Sequence, residues 1–280
     1  MSAAAEVGLT AGREIRKNLR STKGIAMFAL FVVGGLLLPL GKILIDRLAK
    51  SEGGQMPSDE AIRQGKLFAL TKVHGETMAK YLVDCPTALL ILFKATLFFF
   101  PLLILMVGFD AISGETQHRT MRYMTPRARR ASIAIGKGLG VWGVTAIMLL
   151  VLYGTSWIMM LIDGGNPAGA VLSWGTRLWL FAAVYGGAYV GLIMLMSSIF
   201  RTPVVSLFTA FGVMVAMGLT RTILDLFDST KAITWAFPAQ YEEWLLSPDP
   251  SRVISACAVL VAWGALCLMG ATEIVRRKDI

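Results

Sequence analysis

Six apolar blocks, each roughly 20 residues long, narrow the fold of this chain more than any motif does. That is the length a helix needs to cross a hydrocarbon layer of about 30 Å. They lie at 25–45, 87–109, 138–162, 178–200, 203–222 and 253–273. A soluble domain of this size would normally carry about a quarter charged residues. Here 55% of the 280 residues are hydrophobic and only 16% charged. Two blocks are interrupted, one by Pro39 and Lys42, the other by Lys94 and Pro101. The fourth and fifth are split only by Arg201-Thr202-Pro203. Proline suits the first turn of a helix, so this junction predicts a tight hairpin.

Charge gives the orientation. One side of these spans carries Arg13, Arg16, Lys17, Arg20 and Lys23, then Arg119, Arg122, Arg127, Arg129, Arg130 and Lys137, then Arg201, and finally Arg276, Arg277 and Lys278. The few acids there do not offset them, and the other side is close to balanced. The positive-inside rule makes the basic side cytoplasmic, with both termini on it. The expected location is therefore the cytoplasmic (inner) membrane. The net charge of +9 follows topology and marks no nucleic-acid surface. The first block is too long for a cleaved leader and follows a charged segment.

Residues 6–23 repeat Val7, Ala11, Ile15 and Leu19 every four positions among arginines and lysines. The stripe predicts an amphipathic helix in the cytoplasmic headgroup layer, against the plainer alternative of a solvated basic arm. Residues 46–86 form an outer loop too small to fold alone. Pro57-Ser58-Asp59-Glu60 opens a helix there that runs to about Tyr81, with Ile62, Phe68, Ala69, Val73 and Leu82 expected inward. The loop 110–137 is basic and helix-compatible, and 163–177 is a turn-rich outer connection. Residues 223–252 mix Asp225, Asp228, Glu242, Glu243 and Asp249 with Trp235, Phe237 and Trp244, as expected of an outer segment that dips into the membrane. The chain 1–280 is read as one transmembrane domain.

Several patterns resemble chemistry without supporting it. Gly138-Leu139-Gly140-Val141-Trp142-Gly143 spells a dinucleotide fingerprint but follows no strand and opens a membrane helix. Small-residue helix packing explains it better, as it does Gly187-xxx-Gly191. No P-loop is present, and His74 and His118 fall on opposite sides of the membrane. Cys85, Cys257 and Cys267 are not spaced as ligands, and the methionines form no tight cluster, so packing accounts for both. Lys94 is nearly alone within its span. It snorkels to water or holds an anionic headgroup, the first being the simpler reading.

The stretch from Phe109 to Pro126, with Asp110, Glu115, Thr120, Met121 and Pro126, and then Arg130 and Gly136-Lys137, resembles the loop after span two of ABC-2 family permeases. Arg13-Glu14-Ile15-Arg16-Lys17-Asn18-Leu19-Arg20 is similar to that family's "elbow" helix before span one. Arg119 departs from the family's glycine, and Pro126 comes about two residues early.

The resemblance implies an all-α polytopic fold of six transmembrane helices with an N-terminal interfacial helix, a type V exporter-like domain. It also implies a permease subunit of an ABC transporter, not an enzyme by itself, that exports by alternating access. ATP and Mg would sit on a separate ATPase, with no cofactor on this chain. The implied partners are the ATPase subunit, a second permease chain (identical or not) and membrane lipid, with no nucleic acid. Coupling to the ATPase falls to Asp110, Glu115, Arg119, Thr120, Met121, Arg122 and Met124. The isolated acids and the apolar Met121, Tyr123 and Met124 favour docking over a merely solvated basic connector. Spans two and five would line the substrate path through Lys94, Phe208, Phe211 and Met214. The other readings, an ion-coupled carrier or a membrane-embedded enzyme or scaffold, want paired mid-membrane charges or a catalytic cluster.

Overall fold

The structure, a computed structural model, describes residues 2–51, 58–119, 129–227 and 231–278. Among these the chain is helical, with no strand. Helix α1 (Ala3–Arg20) opens on Ser2, whose hydroxyl accepts the Ala5 amide at 3.3 Å, and closes with Lys17 and Arg20 in the last turn. Both ends suit the helix dipole. A one-residue break at Ser21 turns the chain into α2 (Thr22–Ser51). The remaining long helices are α5 (Thr87–Gly108), α7 (Arg130–Asp163), α8 (Ala168–Ile199), α9 (Pro203–Asp225) and α12 (Pro250–Arg277). These five and α2 are each long and apolar enough to span a membrane, so the six expected spans stand.

Between α2 and α5 lie α3 (Asp59–His74) and α4 (Glu76–Leu82), separated at Gly75, whose φ of 79° a side chain would strain. Leu82 is buried as expected, but Ile62, Phe68, Ala69 and Val73 face out. The inward face of α3 is instead Lys66, Leu67 and Leu70, a register that the mixed pattern did not distinguish. Two loops are shorter than expected. Helix α7 already begins within 110–137, and α8 begins within 163–177, leaving only 164–167 as connection. Both helices extend into residues that hydropathy alone scores as loop.

The core centres on α8, two thirds of whose apolar window (67%) is buried. It packs on α5, α7 and α12. Gly187 and Gly191 let α12 approach backbone to backbone, and a Cβ on Gly264 would stand 2.7 Å from the Gly187 carbonyl. The small-residue reading of that motif holds, with α12 as the partner. Arg177 of α8 stacks among Tyr81, Trp174 and Phe181, 5.3–5.7 Å from their ring centres, and so fastens α4 to the bundle. Residues 231–245 fold back as α10 (Lys231–Thr234), a 3₁₀ turn (Pro238–Tyr241) and α11 (Glu242–Leu245). They bury Tyr241, Leu245 and Leu246, with Trp235, Tyr241 and Trp244 edge to face.

Pro39 stays inside α2 without disruption. Proline cannot donate, which frees the Gly35 carbonyl one turn earlier. The Ser156 hydroxyl of α7 donates to that carbonyl at 2.6 Å. In an apolar setting a carbonyl left unpaired costs far more than this substitute bond.

Candidate functional site

Helix α1 does not rest on lipid alone. It lies along the first four turns of α7, where Gly136, Gly140 and Gly143 offer a flat track. A Cβ on Gly136 would come within 2.6 Å of Thr10 Cβ, and one on Gly140 within 2.6 Å of Glu14 Cβ. Two glycines of the false fingerprint, Gly140 and Gly143, thus help to seat the N-terminal helix, while Gly138 faces Leu268 of α12. The stripe of Val7, Ala11, Ile15 and Leu19 is half-buried, and Glu6, Glu14 and Asn18 beside it are buried.

That approach brings Glu14 onto Lys137, which lies between Gly136 and Gly140. Lys137 is 1% exposed, and its ammonium donates to Glu14 Oε2 at 3.0 Å and Glu115 Oε1 at 2.6 Å. Asn18 donates to Glu14 Oε1 at 3.2 Å, and Lys17 stands 3.7 Å from the same oxygen. Glu115 belongs to α6 (Ser113–Gln117), the short helix after α5. One lysine therefore joins α1, α6 and α7. Such a buried cluster is weak evidence of stability, because desolvation offsets much of the attraction, but it fixes geometry.

Two further contacts hold the same short helix. Ser197 of α8 accepts the amides of Ile112 and Ser113 at 3.0 and 3.1 Å and donates to the Phe109 carbonyl at 3.0 Å. Lys23 of α2 meets Asp110 at 3.0 Å and the Val107 carbonyl at 3.3 Å, over the Phe109 ring. On the far side of the loop, the Arg129 amide donates to Glu6 at 3.2 Å, which holds that carboxyl below the usual carboxylate range. Arg130 donates to the carbonyls of Arg276 and Lys278, and Lys278 to that of Ser198 at 2.6 Å. The N-terminal helix, the loop base, the α8–α9 junction and the C-terminal end thus share one end of the bundle.

Of the expected coupling residues, Asp110 and Glu115 anchor the loop from within. Helix α6 ends at Gln117, and Glu115 is engaged by Lys137. Arg119 is exposed at φ 55°, a left-handed backbone that explains why glycine suits the position. Thr120, Met121, Arg122 and Met124 lie outside the described residues.

Lys94 and the three α9 residues are not brought into one cluster. Phe208 and Phe211 are exposed near the start of α9, at the basic end of the bundle. Lys94 sits toward the opposite end, within electrostatic reach of Glu242, Glu243 and Arg221. Tyr185 donates to Glu242 at 2.8 Å beside them. Lys94 is therefore less isolated than its span implied, because residues 231–245 return over the bundle.

Sequence reasoning missed Glu14, Lys137 and Ser197 as members of the site. The signal for Lys137 was its solitude within the glycine-rich apolar run from Ala131 to Gly143. Among the described residues, no group of three or more His, Cys, Asp or Glu is placed to hold a metal ion. A family model described as "ABC-2 family transporter protein" matches residues 10–265. No curated protein matches the chain.

Proposed function

The chain belongs to the ABC-2 family of transporter proteins, and from that premise we propose that it is the permease subunit of an ATP-driven exporter. It sits in the cytoplasmic membrane with both termini inside, paired with a second permease chain. A separate ATPase binds the loop between α5 and α7. ATP-driven closure of the two ATPases rocks the two permeases, and the path between them opens alternately to either side. The chain itself carries no catalytic role, since ATP and Mg belong to the ATPase.

The observation that carries this reading is the three-way Lys137 contact. A loop that merely connected two spans would gain little from a buried lysine tied to two carboxylates. A loop that transmits force to the spans requires a stiff base, and this one has it. Glu115 of α6 meets Lys137 of α7, which also holds Glu14 of α1. Ser113 meets Ser197 of α8, and Asp110 just before α6 meets Lys23 of α2. The exposed Gln117, His118 and Arg119 then lead into the docking segment. Support for a paired chain comes from α9, whose apolar window is the least covered of the spans at 11%. The direction of transport rests on the resemblance.

The test is purification in mild detergent, asking whether an ATPase subunit of about the usual domain size accompanies the chain. ATP hydrolysis is then measured with and without the permease, for wild type and for Glu115→Ala. Co-purification, with loss of transport-coupled hydrolysis in a variant that still holds its six spans, is expected. An absent ATPase, or wild-type coupled hydrolysis in Glu115→Ala, would refute the coupling role.

A further inference from the structure

A groove of about 400 Å³ lies between the outer parts of α2 and α5, within the size range of small-ligand sites. Its walls are Leu37, Leu38 and Gly41 on one side and Thr87, Ala88 and Ile91 on the other. It begins at Leu37, just beyond Gly35, where Ser156 fixes α2 to α7. Gly41 keeps the groove open, since a Cβ there would meet nothing within 4 Å. Leu37 and Ile91 are exposed at its lips, so it opens sideways into the apolar layer and not along the bundle axis.

The rim is cationic. Lys42, also lining the groove, is exposed and has no ion pair among the described residues. Lys66 of α3 is its neighbour in electrostatic terms, and Lys66 donates to the carbonyls of Val83 and Cys85, which lead into α5. Asp84, an acid within electrostatic reach of Lys66, is paired with Arg63 at 3.2 Å. One exposed ammonium, that of Lys42, therefore lines an apolar slot, at the end of the bundle where the overall charge is balanced. A neutral tail alone would leave the Lys42 charge unmatched among the described residues, while a free inorganic anion would leave the slot unfilled.

We propose that the groove holds an acyl chain of an anionic phospholipid from the surrounding bilayer, with the lipid phosphate at Lys42. The site does not depend on the ATPase, so its failure and that of the coupling role are separate outcomes.

The experiment is native mass spectrometry of the purified full chain, titrated with phosphatidylglycerol or with phosphatidylcholine of the same acyl chains. A basic side chain near a membrane surface is worth about 1 kcal/mol, or about fivefold in affinity. One phosphatidylglycerol should be retained at least about fivefold more tightly than phosphatidylcholine. Lys42→Gln should remove about that factor, and Lys42→Arg should keep it. Gly41→Leu, which fills the slot, should weaken both lipids. Arg16→Gln at the opposite, basic end should change neither, and melting temperatures of all variants identify any that misfold. Unchanged preference in Lys42→Gln and unchanged retention in Gly41→Leu would overturn the proposal. So would displacement of the lipid by glycerol phosphate, which would make this a site for the headgroup alone.

Discussion

Removing Lys137 would leave two carboxylates, Glu14 and Glu115, facing one another in a site nearly closed to water. Breaking a buried pair in this way typically costs about 3–5 kcal/mol. Glu115→Ala is milder, because Lys137 keeps Glu14. The expected order of melting temperatures in detergent is wild type, then Glu115→Ala, then Lys137→Ala. Lys137→Met combined with Glu14→Gln and Glu115→Gln should recover much of the loss, since neutral groups of similar size carry no uncompensated charge. Equal losses in the two single variants would mean that the contact is not shared as described. Arg119 makes the opposite case. A side chain in the left-handed region costs about 1–2 kcal/mol relative to glycine. Arg119→Gly should therefore match or exceed the wild type in thermal stability, and a clear drop would show that the arginine has a partner worth more than the strain.

The same substitution should have opposite signs on α1 and α7. Gly12 lies on the free face of α1, with nothing within 4 Å of an added Cβ. Gly12→Ala should add up to about 1 kcal/mol through helix propensity alone. Gly140→Ala would push its Cβ against Glu14 and should destabilise by about 1–3 kcal/mol through overpacking. Thermal melting of the two variants side by side settles this, and loss in both would remove the docking track. A second pair concerns Pro39 in α2. Ser156→Ala orphans the Gly35 carbonyl, a penalty of about 1–3 kcal/mol. Adding Pro39→Ala supplies an N–H to that carbonyl and should return most of it, so the double variant melts above Ser156→Ala alone.

These elements also show how much the sequence made legible. Asp110 and Glu115 at the loop base come from the family resemblance, while span number and the amphipathic N-terminal helix follow from block length and a four-residue stripe. What lies between elements does not. The pattern of α1 announces an apolar stripe, but not that Glu14 beside it would meet a lysine more than a hundred residues away. Nor does hydropathy distinguish which face of α3 turns inward, or reveal that residues 231–245 return to Lys94. Those outcomes depend on which helices are neighbours, and in a membrane apolar periodicity says little about that, because lipid and protein are equally apolar surroundings.

At the scale of the molecule, α9 poses the sharpest question. Val204, Val205, Phe208, Phe211, Val215 and Leu219 are all exposed along one helix that touches its own bundle only lightly. In a bilayer such a face can meet lipid at no cost, so exposure alone does not demand a partner. The two cases differ in what a cysteine on that face would find. If two copies pair about a two-fold axis, positions near the axis meet their own counterparts, and others meet a reciprocal set on the partner. Single cysteines at Phe208, Phe211 and Val215, placed in a variant lacking Cys85, Cys257 and Cys267, are predicted to form disulfide-linked dimers under mild oxidation in membranes. Cysteines at Ile158 and Leu180, equally exposed but on α7 and α8, serve as the lipid-facing comparison and should stay monomeric. A heterodimer would show no self-crosslink at any α9 position, yet a bifunctional thiol-to-amine crosslinker on the same cysteines would still trap a second chain of similar size. Monomers throughout, with no trapped chain, would place α9 against lipid and remove the support that its exposure lends to a paired transporter.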